Sequence, residues 1–320
     1  MKKSTSTIVL ICLVILLGFG FTTVLSYTTQ KNLAEQNVAE IAQLLSADMY
    51  HQIDAAFTNP VAISLAMAND HMLQTFLQEE AASYQDDQFV AGIQNYLLDY
   101  RKQYGYDSVF LVSTATDHYY YYNGLDRTLA EEDPENEWYY GFLASDVNYA
   151  LDIDNDEVAN ANNAINVFID CKIKDNSGQI IGIVGVGFAT DYIQNLLRKY
   201  EQNYAARIYL VDQAGIIQLS TEQTGFESVS LYDTGVYGSL TDSLVLDQLT
   251  PQAFWYDAQG THGYLTTQYV PALDWYLVLD HDTAELTQPK QLMRHSLLAL
   301  AAVLIVVVLL LLKDGRKPQI

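Results

Sequence analysis

The run DIDNDE places Asp152, Asp154 and Asp156 at the first, third and fifth positions used by a calcium-binding EF-hand loop. Such a loop also needs a glycine at its sixth position and a chelating glutamate at its twelfth. Glu157 and Asn163 stand there, which excludes an EF-hand. The carboxylates are left as ligands of some other divalent ion, as solvated groups, or as partners of a cationic ligand. Close by, Trp138, Tyr139 and Tyr140 are large rings with a polar edge, suited both to a ligand cage and to a core. In the run HYYYY, strand alternation puts Tyr120 and Tyr122 on one face and Tyr119 and Tyr121 on the other, and the first pair is expected to face a pocket. Arg127 is an isolated cation in an acidic stretch, either a surface ion-pair partner or a ligand contact. GIVGVG at 182–187 lacks the order of a dinucleotide loop and lies within an apolar strand, where glycines allow close backbone approach. The six histidines have no metal-ligand spacing, and H-E-x-x-H, G-x-S-x-G and Walker patterns are missing. No metal, cofactor or catalytic centre is expected. A membrane-anchored hydrolase working with paired carboxylates remains as an alternative.

The elements that must position these residues begin at the ends of the chain. IVLICLVILLGFGFTTVLS from Ile8 and SLLALAAVLIVVVLLLL from Ser296 carry no charge, and about 20 apolar residues in a helix cross a bilayer. Two spans are predicted, at 8–28 and 295–312, the first as an uncleaved anchor. Lys2 and Lys3 precede the first, and Lys313, Arg316 and Lys317 follow the second, so both termini are expected in the cytoplasm and residues from about 27 to 294 outside. A formal charge of −23 over 320 residues disfavours a nucleic-acid partner. Cys12, within a span, and Cys171, within a predicted strand, cannot bridge, so the core alone must stabilise the exterior region. Helix is predicted from about Lys31 to Ala68, with Leu33, Val38, Ile41, Leu44 and Leu45 at helical spacing, and again from His71 to Tyr104. SVFLVST and HYYYY form a hairpin, Asn123 to Glu137 a loop, and Trp138 to Leu143 the start of a short helix. AINVFIDCKI and QIIGIVGVGF pair across the turn DNSG, with a helix from Asp191 to Tyr200. A weaker copy follows: 207–211 and 216–220 flank DQAG, and 263–270 and 275–280 flank PALD.

The ordered set VFLVST, HYYYYNG, WYY, YALDIDND, FIDCKIKDNSGQIIGIVGVGF and DYIQNLLRKY, behind a long helix, resembles the double Cache (dCache) sensor family. The WYY and YALDIDND version is most similar to the sensor portions of bacterial diguanylate cyclases. The resemblance implies an α+β fold of two tandem PAS-like Cache domains with antiparallel sheets on a long N-terminal helix, flanked by two transmembrane helices. It divides the chain into a cytoplasmic N-terminus (1–7), the first span, a stalk helix (29–70), a membrane-distal domain (71–200), a membrane-proximal domain (201–290), the second span and a cytoplasmic tail (313–320). It implies a small-molecule ligand held in the distal domain, a conformational signal across the membrane, and a homodimer. Trp138 and Tyr139 match the family's WY, and Tyr149, Asp154 and Asp156 its aromatic and acidic segment. Tyr120, Tyr122, Arg127 and Asp170 complete the candidate set. The branch that binds amino acids has an arginine two residues before the tryptophan and an aspartate after the glycine-rich strand; here these positions are Asn136 and Gly187. Their loss argues against an α-amino acid. Only KDGRKPQI follows Leu312, which predicts a truncated receptor or a separate cytoplasmic output protein. The alternative is a ligand-independent membrane scaffold.

Overall fold

The computed structural model describes residues 2–156, 158, 164–224, 227–233, 235–241, 244, 246–281, 283, 293–303, 305 and 306. A single helix, α1, runs from Lys2 to Ala68. Its first part leaves Leu13, Val14, Leu17, Phe21 and Val24 exposed, and it is long and apolar enough to cross a membrane. A second apolar helix, Met293–Val303, is shorter. Residues 304 and 307–312 of the second predicted span, like Glu157 and Asn163 of the rejected calcium loop, lie outside the described residues.

Beyond the apolar part, α1 buries Val38, Ala42, Leu45, Met49, Ile53 and Phe57, which recur at three- and four-residue steps. Of the five positions expected to form its apolar face, Val38 and Leu45 are buried, whereas Leu33, Ile41 and Leu44 are exposed. The buried stripe is displaced because α1 packs against two sheets in succession. Its core cluster joins Ile153 and Val167 of one sheet to Ile208, Leu277 and Leu279 of the other.

Two short helices follow, α2 (His71–Ser83) and α3 (Asp87–Tyr104). Asp70 and Asp86 cap them by accepting from Met72 N and Gln88 N, both at 2.8 Å. The first sheet contains β1 (Ser108–Ser113), β2 (His118–Tyr121), β3 (Gly124–Thr128), β4 (Tyr149–Asn155), β5 (Ile165–Lys174) and β6 (Ile180–Ala189). Its order is β3-β2-β1-β6-β5-β4, antiparallel throughout. Between β3 and β4 lie a 3-10 turn, Pro134–Asn136, and helix α4 (Glu137–Ala144). Helix α5 (Thr190–Tyr204) leads to the second sheet. That sheet has β7 (Ala206–Val211), β8 (Ile217–Ser220), β9 (Gln252–Ala258), β10 (Thr261–Val270) and β11 (Trp275–His281) in the order β8-β7-β11-β10-β9.

The predicted hairpins form, and the DNSG and DQAG turns share one chemistry. Asp175 Oδ1 accepts from Ser177 N and Gln179 N, and Asp212 Oδ1 from Ala214 N and Ile216 N. Gly178 and Gly215 close these turns at φ 87° and 80°. Two stretches differ from expectation. The segment after Asn123 holds β3 before it becomes a loop, and YALDIDN, to which no element was assigned, is a strand.

Candidate ligand-binding site

One face of the first sheet carries little side-chain bulk at its centre. Gly185 pairs with Phe110 on β1 and Asp170 on β5, and Gly187 pairs with Phe168. A β-carbon on Gly185 would sit 2.7 Å from the Phe110 ring, and one on Gly187 would sit 2.7 Å from the Phe168 ring. The two bare positions therefore let both phenyl rings lie over β6, where they meet edge to face at 6.1 Å. Phe110 also stacks on Tyr119 of β2 at 5.4 Å and meets the Trp138 indole edge to face at 5.8 Å. Helix α4 delivers that indole. It is tied to the β1–β2 turn by Tyr139, whose hydroxyl donates to Asp117 Oδ1 at 3.1 Å.

The resulting cleft opens onto a wider groove between α4 and β4. Its aromatic floor is bordered by five carboxyl groups, those of Glu135, Asp152, Asp154, Asp156 and Asp170, and by one guanidinium, that of Arg127. Strand alternation explains how β4 contributes so many acids. Asp152 and Asp154 face the cleft, while Leu151 and Ile153 pack on the other side in the core cluster that includes α1.

The acids are not equivalent. Asp156 is buried, and it accepts from Val158 N and Asn166 Nδ2, both at 3.3 Å. Asp154 Oδ1 accepts from Asn155 N at 2.8 Å. Asp170 is 2 % exposed, and its Oδ1 has no hydrogen-bond partner among the described residues. Burial, and then the neighbouring Asp152 and Asp154, push the Asp170 carboxyl well above the usual carboxylate range. Burial likewise raises Asp154 and Asp156, and with the nearby Asp154 it pushes Asp152 up to about 6. On the opposite wall, the Arg127 guanidinium lies 5.1 Å from the Tyr119 ring centre, with Asp126 Oδ2 3.6 Å from its Nη1. The site thus holds an excess of acid whose ionisation burial opposes. An entering cation would favour it.

Of the residues expected from the sequence, Arg127, Trp138, Asp154, Asp156 and Asp170 line the cleft. Four do not. Tyr120 points through the sheet to the other face, where its hydroxyl donates to Glu80 at 2.8 Å, so the tyrosine facing the cleft is Tyr119. Tyr122 lies past the end of β2 with the Arg101 guanidinium 4.2 Å from its ring centre. Tyr139 is fully buried beneath α4. Tyr149 lines a separate groove with Asp212, Gln213, Tyr269 and Asp274. The candidate set omitted Phe110, Glu135, Asn155 and Phe168, and also Asp152 and Tyr119, although the first stood in the acidic run and the second on the tyrosine face not chosen. For Phe110 and Phe168 a signal existed: glycines two apart in an apolar strand leave room for rings on the flanking strands.

Asn136 and Gly187, the two departures from the pattern expected for amino-acid binding, both have roles in the packing. The Asn136 amide is buried and donates to Ala130 O at 3.0 Å, and the Phe168 ring covers Gly187. Among solved structures, the chain is similar to the ligand-binding domain of the Campylobacter jejuni chemoreceptor Tlp3 in complex with L-valine. The TM-score is 0.54 at 13% identity, covering 81% of this chain and 97% of that one. For the ligand-binding domain of the Pseudomonas fluorescens chemoreceptor CtaA with L-leucine the values are 0.53, 14%, 80% and 99%. The sensor domain of the V. cholerae histidine kinase DctB gives 0.52, 13%, 77% and 98%. At these identities the likeness establishes the fold. The model of the double Cache group, described as a Cache domain, matches residues 26–289, and the chain belongs to that family of sensor domains.

Proposed function

We propose that this chain is a membrane-anchored sensor that binds a small organic cation of the amine type in the cleft of its first sheet. One observation carries the reading: Asp170 is an almost fully buried carboxyl group facing the cleft with an oxygen that no described residue satisfies. An unsatisfied buried carboxylate is costly, and an ammonium donor supplies both the charge and the hydrogen bond it lacks. The aromatic rings of Phe110, Tyr119, Trp138 and Phe168 offer π-faces that attract the same ligand. Tlp3 and CtaA were solved with amino acids, whose ammonium group has this chemistry.

In this reading residues 71–200 form the membrane-distal domain and 201–290 the membrane-proximal one, both outside the cell, with the termini in the cytoplasm. Edge strand β4 is the transmitting element. Its aspartates meet the ligand while Leu151 and Ile153 belong to the core cluster that holds the buried stripe of α1, so a ligand that prefers one position of β4 biases, through that shared core, the helix that enters the membrane. The exposed Leu33, Ile41 and Leu44 support pairing of two copies along α1.

The test is a thermal-shift screen of the full chain in detergent with amines, amino acids, carboxylates, sugars, nucleobases and divalent ions. An amine at about 100 times its Kd stabilises by about 2.7 kcal/mol and raises Tm by about 5–10 °C. Trp138→Ala is expected to abolish that shift. Stabilisation by anionic or neutral compounds, with none by amines, would overturn the proposal.

A further inference from the structure

Resting on the reading of the cleft as a cation site, we infer that its ligand is a linear diamine whose two ammonium groups are separated by four or five methylenes. The carboxyls do not converge on a point: among the described residues no group of three or more is arranged to hold a metal ion. They are spread in a line instead. Asp170 pairs with Ala150 across β5 and β4, so Asp152 is its diagonal neighbour on the same face, at about 7–8 Å. Asp154 stands two residues further along β4, at about 7 Å from Asp152. Asp170, Asp152 and Asp154 thus form a row of carboxyl groups at nearly regular intervals.

An all-trans alkyl chain advances about 1.25 Å per bond, which puts the nitrogens of 1,4-diaminobutane and 1,5-diaminopentane about 6–8 Å apart. One ammonium then meets the unsatisfied Asp170 while the other reaches Asp152 and Asp154. The methylenes between them cross the Phe168 ring, which lies opposite Asp152 in the β4–β5 register. A monoamine answers Asp170 and leaves the β4 acids facing one another. An α-amino acid brings a carboxylate into the same row and leaves Arg127 as the one cation among the lining residues to receive it.

Calorimetric titration of the full chain in detergent tests this with 1,2-diaminoethane, 1,4-diaminobutane, 1,5-diaminopentane, 1-aminobutane and L-valine. The four- and five-carbon diamines are expected to bind at least about tenfold more tightly than 1-aminobutane and 1,2-diaminoethane. Asp154→Asn, at a half-buried position, is expected to weaken 1,4-diaminobutane about tenfold more than it weakens 1-aminobutane. Asp170→Asn is expected to lose both, with its unliganded melting curve confirming the fold. Monoamines binding as tightly as the diamines, or an Asp154→Asn variant with unaltered diamine affinity, would overturn the two-point inference and leave the cation site standing. Tighter binding of L-valine would overturn it in favour of Arg127. Failure of every amine would remove the cation reading itself.

Discussion

Replacing Glu80 by alanine is expected to unfasten the hairpin that forms one wall of the cleft. The side chain is fully buried, on the face of the first sheet away from the ligand site. It accepts from His118 Nδ1 at 2.6 Å, Thr116 Oγ1 and Tyr120 OH at 2.8 Å, and Ser113 Oγ at 3.1 Å, so one residue of α2 holds the β1–β2 turn and both flanking strands. Without Glu80, the part-exposed Thr116 and His118 turn to water, but Ser113 and Tyr120 are buried and lose their acceptor. At roughly 1–3 kcal/mol for each unsatisfied buried group, the loss is about 4 kcal/mol. At about 2–4 °C per kcal/mol for a domain of this size, Tm falls by about 8–16 °C. The assay is thermal unfolding of the full chain followed by near-ultraviolet circular dichroism. Burial raises the Glu80 carboxyl, but the bonds from Tyr120, His118, Thr116 and Ser113 together outweigh it and hold the group below its ordinary value of 4.5. A depressed folded value contributes stability above the unfolded value that is lost as pH falls through the folded one. The gap between wild type and Glu80→Gln is therefore constant near neutrality and closes below about pH 4.5. A Tm loss under about 2 °C for Glu80→Ala, or a gap that widens in acid, would refute the reasoning.

Asp170→Asn is expected to raise the Tm of the unliganded chain at pH 7 while abolishing amine binding. Its carboxyl is raised, so wild type loses stability as pH climbs through the folded value, and the amide does not. The gain is roughly 1–3 kcal/mol by denaturant titration. Asp152, raised to about 6 from an ordinary 3.8, makes wild type less stable as pH rises between those values, and Asp152→Asn should flatten that stretch of the stability–pH curve. Gly187→Ala pushes the Phe168 ring into the cleft, costing about 1–3 kcal/mol and more than tenfold in amine affinity by calorimetry. Gly185→Ala should cost more, because its β-carbon would also lie 2.6 Å from the Ile169 carbonyl oxygen, which is backbone and cannot rotate away.

Elements with one dominant local signal were legible in the sequence. The helices announced themselves by spacing, although α1 continues through Pro60 and the stretch from His71 to Tyr104 divides into α2 and α3, and the DNSG and DQAG hairpins announced themselves by turn chemistry. Strand β4 was obscured because three of its seven residues are polar acids or amides, although the alternation Leu151-Asp152-Ile153-Asp154 was present. It lies at a sheet edge, where one face can be entirely functional. Strands β3 and β9 are also edges and carry a weaker apolar pattern. The tyrosine faces were separable by alternation, yet which one met the cleft depended on where α2 packed. Glu80 captures Tyr120, and that contact spans forty positions of sequence. Asp170 was named from its strand, but its missing partner emerges only from the assembled sheet.

The most direct test of the account is the structure of the full chain saturated with the tightest-binding amine. The account predicts an ammonium nitrogen about 2.7–2.9 Å from Asp170 Oδ1, with the ligand's carbon chain against the Phe168 ring of the aromatic floor. A ligand seated instead in the groove between Tyr149 and Asp274, or one whose nitrogen turns away from Asp170 toward solvent, would contradict it.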